Sequence, residues 1–167
     1  MVFLTPFLNR RKFLQYGFLS TAVLVMDGCE LKNILTSKDT IGQVQYDLFP
    51  KAKELGINTQ VYMHIILHHS RISKEDKTFI KNGVKWLNEE ARKMYKKIYI
   101  KLSKSQRQKV LHSIAATQWG ESWLYTMLTY NFEAMLGDPI YRANINKAGW
   151  KWLQFEGGLP APKKAFL

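Results

Sequence analysis

The sequence predicts a mainly α protein, a compact bundle of about five helices that ends in an irregular, aromatic C-terminal segment containing glycine and proline. Three observations lead there. Apolar residues recur at helical spacing over most of residues 41–136, whereas no convincing alternating strand pattern is present. Two Ser-x-x-Asp/Gln signatures, at Ser73 to Asp76 and Ser103 to Gln106, have the form of helix-opening capping boxes. After Pro139 the pattern changes to aromatic residues punctuated by Gly157, Gly158, Pro160 and Pro162, which cannot form a core alone. A chain of 167 residues with 46% hydrophobic residues is enough for one domain.

Ile41, Val44, Leu48 and Phe49 lie at helical spacing before Pro50, and Gly56, Ile57 and Asn58 supply a turn and a cap. They define a first helical segment, bent or interrupted at Pro50. A second helix is expected from Asn58 to about Ser70, with Val61, Ile65 and His68 on one face and Tyr62, Ile66 and His69 beside them. Ser73 opens a third, in which Phe79, Trp86, Leu87, Met94 and Ile98 form an apolar stripe, and Ser103 opens a fourth that buries Val110, Leu111, Ile114 and Ala115. The fifth runs from Glu121 to about Leu136, with Trp123, Leu124, Met127, Leu128, Phe132 and Met135, and stops at Gly137, Asp138 and Pro139. Residues 30–40 lack a steady period and read as a linker, so the helical domain is placed at 41–167 and an address at 1–29.

Charge narrows the partners. The chain carries 25 Lys+Arg against 13 Asp+Glu, a formal +12, and only Arg10, Arg11, Lys12 and Asp27 of these lie in 1–29. The body therefore remains basic, which suits an acidic protein partner or an anionic membrane surface. Arg92, Lys93, Lys96, Lys97, Lys101, Lys104, Arg107 and Lys109 form a run without an acid, interleaved with Tyr95 and Tyr99. No nucleic-acid-binding signature accompanies it, so it reads as a solvated basic face or a docking surface, with no nucleic acid expected. The single cysteine, Cys29, excludes an intrachain disulfide and any CxxC site, and no CxxCH is present for haem attachment.

Arg10, Arg11, Phe13 and Leu14 stand in the order of a twin-arginine export signal of the form Ser/Thr-Arg-Arg-x-Phe-Leu-Lys, which residues 9–15 resemble. The apolar stretch from Tyr16 to Met26 is shorter than the ~20 residues that a permanent membrane span needs, and reads as a signal core. The alternative is an Arg-Arg pair opening an amphipathic helix, but the stretch after it has no polar face. Cys29 follows Gly28 as in a lipoprotein processing site, although Asp27 is an unusual neighbour. A lone thiol at the start of a linker and a signal retained as an anchor are the other readings. Export would put the mature chain in the periplasm, at the inner membrane.

Catalytic chemistry has little to build on. His64 and His68 share a helix face as metal-binding pairs do, but no acid lies between them and no matching cluster follows, so they read as a polar helix edge and no metal is assigned. Glu89 and Glu90 point about 100° apart on a helix and have no paired nucleophile, so they read as surface charge. A GxGxxG junction for a flavin or nicotinamide is missing. No catalytic and no cofactor-binding residue is assigned.

The stretch Asp138, Pro139, Ile140, Tyr141, Arg142, Ala143, Asn144, followed by Gly149, Trp150, Trp152, Phe155 and Gly157, resembles the ending of the gluconate 2-dehydrogenase small-subunit family, Asp-Pro-x-Tyr-Gly-Gly-Asn, Gly-Trp and Phe-Pro-Gly. The Leu48-Phe49-Pro50 element, the chain length and the helical middle also suit it. Arg142 and Ala143 replace the usual Gly-Gly, and Glu156 the frequent Pro, which makes the turn after Tyr141 the point of departure. The resemblance implies a non-catalytic small subunit of a periplasmic, membrane-associated FAD-dependent dehydrogenase complex that oxidises gluconate or another sugar or sugar acid. FAD and haem c would belong to its partners, a large flavoprotein and a c-type cytochrome, and this chain would act as scaffold and as escort through the twin-arginine translocase. Asp138, Pro139, Tyr141, Asn144, Gly149, Trp150, Trp152 and Phe155 are the expected partner-binding residues, unless the aromatics seal the domain's own core. The rival classes are a stand-alone periplasmic helical lipoprotein of binding type and an enzyme using the histidine cluster.

Overall fold

The structure, a computed structural model, describes residues 37–157 and 159–165, and these are helical with short connections and no strand. Arg10, Arg11, Phe13, Leu14 and Cys29 lie outside the described residues. Helix α1 covers 37–48, so helical structure already occupies the last four residues of the expected linker. Pro50 takes the first position of α2 (Pro50–Glu54), where its missing N–H is not needed, so the segment is interrupted there and not merely bent. Gly56 then adopts φ 70°, and Asn58 caps α3 (Thr59–His68) by accepting from the Val61 N–H at 3.2 Å.

Helix α4 (Lys74–Tyr95) is capped by Ser73, whose hydroxyl oxygen accepts from the Asp76 N–H at 2.9 Å. Here the acid does not reach back to the N-cap amide as a full capping box requires; its carboxylate accepts a hydrogen bond from the Ser73 hydroxyl at 2.7 Å. At α5 (Lys104–Ala115) the reciprocal box between Ser103 and Gln106 is complete. Helix α6 (Gln118–Leu136) begins three residues earlier than expected, because the Thr117 side chain accepts from the Gly120 N–H. Two short 3₁₀ turns, Pro139–Tyr141 and Ile145–Lys147, lead to the five-residue α7 (Ala148–Trp152).

Helix α6 is the central element, packing on α3, α4, α5 and α7. The main core gathers Ile41 and Val44 of α1, Met63 and Ile66 of α3, Ile80, Val84 and Leu87 of α4, Val110 and Ile114 of α5, and Trp123 and Met127 of α6. On α4 the buried stripe is Ile80, Gly83, Val84, Leu87 and Ala91, which keeps Leu87 of the expected stripe but turns away from the rest: Met94 is exposed, Phe79 only flanks the core, Trp86 is half-buried, and Ile98 lies beyond the helix end at Tyr95. Close packing explains the turn. A Cβ at Gly83 would fall 2.0 Å from Trp123 Nε1, so the indole lies flush on the α4 backbone and donates to the Ile80 carbonyl at 3.2 Å. Ala115 is exposed, while the other three residues expected in the α5 face are buried.

One buried polar group adjoins this core. Asp47 accepts from Arg107 Nε at 2.6 Å, from Arg107 Nη2 at 3.1 Å, from the Tyr99 hydroxyl at 2.8 Å and from Gln43 Nε2 at 3.0 Å. Arg107 Nη1 donates to the Leu102 carbonyl at 2.8 Å, and Asn88 Oδ1 accepts from the Tyr99 N–H at 2.9 Å. Arg107 and Tyr99 are therefore not part of a solvated basic face: the guanidinium is 14% and the Asp47 side chain 5% exposed, and Tyr99 is fully buried. A bidentate pair with the third guanidinium nitrogen also bonded, to the Leu102 carbonyl, is the kind of arrangement in which a buried ion pair is tolerated. Burial, and the Asp47 carboxylate to which it donates, push the Tyr99 phenol well above its ordinary value.

Candidate partner-docking site

The segment after α6 is built as a latch on that helix's C-terminus. The last carbonyls of a helix lack intrahelical partners, and here side chains supply them. Trp150 Nε1 donates to the Leu136 carbonyl at 2.6 Å, and Asn144 Nδ2 donates to the Gly137 carbonyl at 3.1 Å. Asn144 Oδ1 accepts from the Gly149 N–H at 2.8 Å, so one fully buried amide joins the end of α6 to the start of α7. Gly149 is required by contact: a Cβ there would fall 2.0 Å from the Met135 carbonyl oxygen.

The turn itself is set by Asp138, whose carboxylate accepts from the Ile140 N–H at 2.9 Å, and by Pro139 at the first 3₁₀ position. Arg142 follows with φ 61°, in the left-handed region, where the resembled pattern has glycine. The turn thus keeps a glycine-like backbone at a cost of about 1 kcal/mol for a non-glycine residue. Ala143 is buried, and its carbonyl accepts from the Asn58 N–H at 3.0 Å, tying the turn to the start of α3.

The aromatic residues divide. Trp150 is 9% exposed; Phe155 meets its ring edge-on at 5.7 Å, and the Lys147 ammonium stands 5.4 Å above it. Trp152 meets Phe49 at 6.0 Å, and Phe49 in turn meets Phe132 at 5.0 Å. Trp152, Leu153 and Phe155 nonetheless remain about half exposed to solvent. Of the eight large hydrophobics exposed among the described residues, five (Ile145, Trp152, Leu153, Phe155 and Leu159) fall in 145–159. The eight residues expected to bind a partner therefore separate. Asp138, Pro139, Asn144, Gly149 and Trp150 hold the latch together, Tyr141 is half-buried, and Trp152 and Phe155 present apolar surface.

Other candidates resolve by geometry. The His64 and His68 rings lie 4.2 Å apart, and His68 Nδ1 is 2.7 Å from the His64 carbonyl, so that nitrogen is bonded to its own helix. His64 faces the Lys38 ammonium at 3.5 Å. Its pKa is lowered by desolvation first, then by His68 and Lys38. No group of three or more His, Cys, Asp or Glu among the described residues is placed to hold a metal ion. Glu90 accepts from Ser113 Oγ at 2.8 Å with Lys93 at 3.8 Å, on the wall of a cleft that also contains Trp86 and Trp119, while Glu89 is exposed. Arg92, Lys93, Lys96, Lys97, Lys101, Lys104 and Lys109 are exposed as expected of a basic face. No helix among the described residues is long and apolar enough to cross a membrane.

No match was found among curated proteins or among solved structures. The model of the family described as gluconate 2-dehydrogenase subunit 3 matches residues 34–158, which include all the described helices and the latch. The chain belongs to the gluconate 2-dehydrogenase subunit 3 family, that of an accessory subunit of a dehydrogenase complex.

Proposed function

We propose that the chain is the non-catalytic small subunit of a periplasmic, membrane-associated FAD-dependent dehydrogenase complex acting on gluconate or a related sugar or sugar acid. It would serve as scaffold and as twin-arginine export escort for a flavoprotein subunit, with haem c in a further cytochrome subunit. The observation that carries this reading is the latch: side-chain-to-backbone hydrogen bonds of Asn144 and Trp150 fix the segment that leaves Trp152, Leu153 and Phe155 exposed. A preordered aromatic surface loses little conformational entropy on docking, and such residues dominate interface energetics.

The escort half is tested at Arg10 and Arg11. Changing both to Lys keeps the charge and removes the guanidinium pair, so this chain and the flavoprotein should both stay in the cytoplasm, the flavoprotein folded and flavin-loaded. Fractionation that finds the flavoprotein exported while this chain is retained would reduce the role to scaffold, and export of both would overturn the twin-arginine assignment.

A further inference from the structure

Helix α3 has a face that the core does not use. Met63 and Ile66 point into the core, whereas Val61 and Ile65, one turn apart, form the floor of an open cleft of about 710 Å³. The facing wall is the 3₁₀ turn that begins the latch, through Ile140 and Tyr141. The rim is cationic: Lys38 from α1, Arg142 from the latch turn, and Lys163 and Lys164 from the C-terminal segment, with His64 between the two floor residues on α3. Among the described residues no acidic side chain lines the cleft, and none of these four cations makes a salt bridge.

Gathering four positive charges around one opening is unfavourable in the free protein and is relieved by a counter-charge. An apolar floor adds what a free inorganic anion does not need, a seat for hydrocarbon. We propose that this cleft binds an acidic peptide segment of the flavoprotein subunit, with an apolar side chain on Val61, Ile65, Ile140 and Tyr141 and flanking carboxylates on Lys38, Arg142, Lys163 and Lys164. The identity of that partner rests on the subunit reading above; the chemistry of the segment rests on the cleft alone. The left-handed Arg142 contributes here too. Glycine fits that backbone without strain, and arginine in its place adds a guanidinium to the rim, the group suited to bidentate contact with a carboxylate.

The probe is a synthetic peptide of alternating glutamate and leucine, titrated into the full chain at low and at raised salt. It should bind, more weakly as salt rises, and the His64 ring resonances should move while its pKa climbs as carboxylates offset the surrounding cations. A variant carrying K38E, K163E and K164E, all at exposed positions, should lose at least about tenfold in affinity, and Ile65→Ser should weaken binding at unchanged salt dependence. Replacing the peptide's glutamates with glutamine should abolish binding. Equal binding of the glutamine peptide, an unaffected triple variant, or binding of phosphatidylglycerol vesicles through these lysines without binding of the peptide would each overturn the proposal, the last in favour of a membrane surface. Co-purification with the flavoprotein separates the two readings. If the peptide binds but no flavoprotein accompanies the chain, the cleft stands and the subunit reading fails. If the flavoprotein accompanies the wild type and the triple variant equally, the subunit reading stands and the cleft proposal fails.

Discussion

Trp123 and Trp150 use the same device in two regions of the molecule. Each indole donates its N–H to a backbone carbonyl, of Ile80 and of Leu136, and each is pressed by a glycine, Gly83 and Gly157, at which a Cβ would collide with the ring. Around Trp123 the neighbours come from long helices, and the ring is fully buried in the main core. Around Trp150 they come from 3₁₀ turns, a five-residue helix and a backbone with Arg142, Asn146 and Lys147 at positive φ. The first region is stabilised by burial spread over many side chains, and the second by a few contacts that each have one acceptor. Damage to the first should be global, and damage to the second should stay local.

Replacement of either indole tests that difference directly. Trp123→Ala should cost about 3–5 kcal/mol and lower hydrogen-exchange protection throughout the helices. Trp150→Ala should release 138–157 while α4, α5 and α6 keep their protection. Equal global loss from both would make the latch part of the main core.

The buried pair gives the next effect. Asp47→Ala leaves the Arg107 guanidinium without its counter-charge and should destabilise the domain by about 3 kcal/mol or more, whereas the double variant with Arg107→Leu should recover much of that loss. A double-mutant cycle in urea reads it. Tyr99 adds a pH dependence. Its folded pKa lies above that of the unfolded chain, so its contribution is intact below about pH 10 and declines as pH rises beyond, by at most about 1.4 kcal/mol per unit. Tyr99→Phe should flatten that alkaline slope without removing it, because Tyr62 and Tyr130 are raised too, each by burial and then by Glu133. The smallest effect belongs to Arg142→Gly, which should raise stability by up to about 1 kcal/mol by relieving the left-handed backbone. The same variant should bind the acidic peptide less well.

What could be read from the chain follows the same division. Helical period and capping residues located α3 to α6 and their caps at Asn58, Ser73 and Ser103, because those signals are local. Which face of α4 turns inward was not legible: Phe79 and Trp86 stand out by size, yet the contact with Trp123 demands glycine at 83. Arg107 looked like one more cation in a basic run because its partner, Asp47, lies sixty residues away. The latch is legible as a change of pattern after Pro139 and as a family resemblance, but not as a set of contacts. The sequence leaves its residues as either a partner surface or a seal on the core, and only the geometry separates the five that hold the turn from Trp152 and Phe155, which touch Phe49 and Trp150 yet stay exposed. The cleft had a trace in the sequence, since Val61 and Ile65 share a face, but the cations that rim it come from three distant segments.

The central claim is that the latch presents an aromatic surface to a flavoprotein subunit. The most direct measurement is co-purification of the flavoprotein with the wild-type chain and with the Trp152→Ala, Phe155→Ala variant, read as flavin absorbance per mole of this chain, with circular dichroism of each. The account predicts near-stoichiometric flavin with the wild type, little with the variant, and helical content unchanged. Full flavin recovery with the variant, or a wild-type chain that purifies alone and folded, would contradict it.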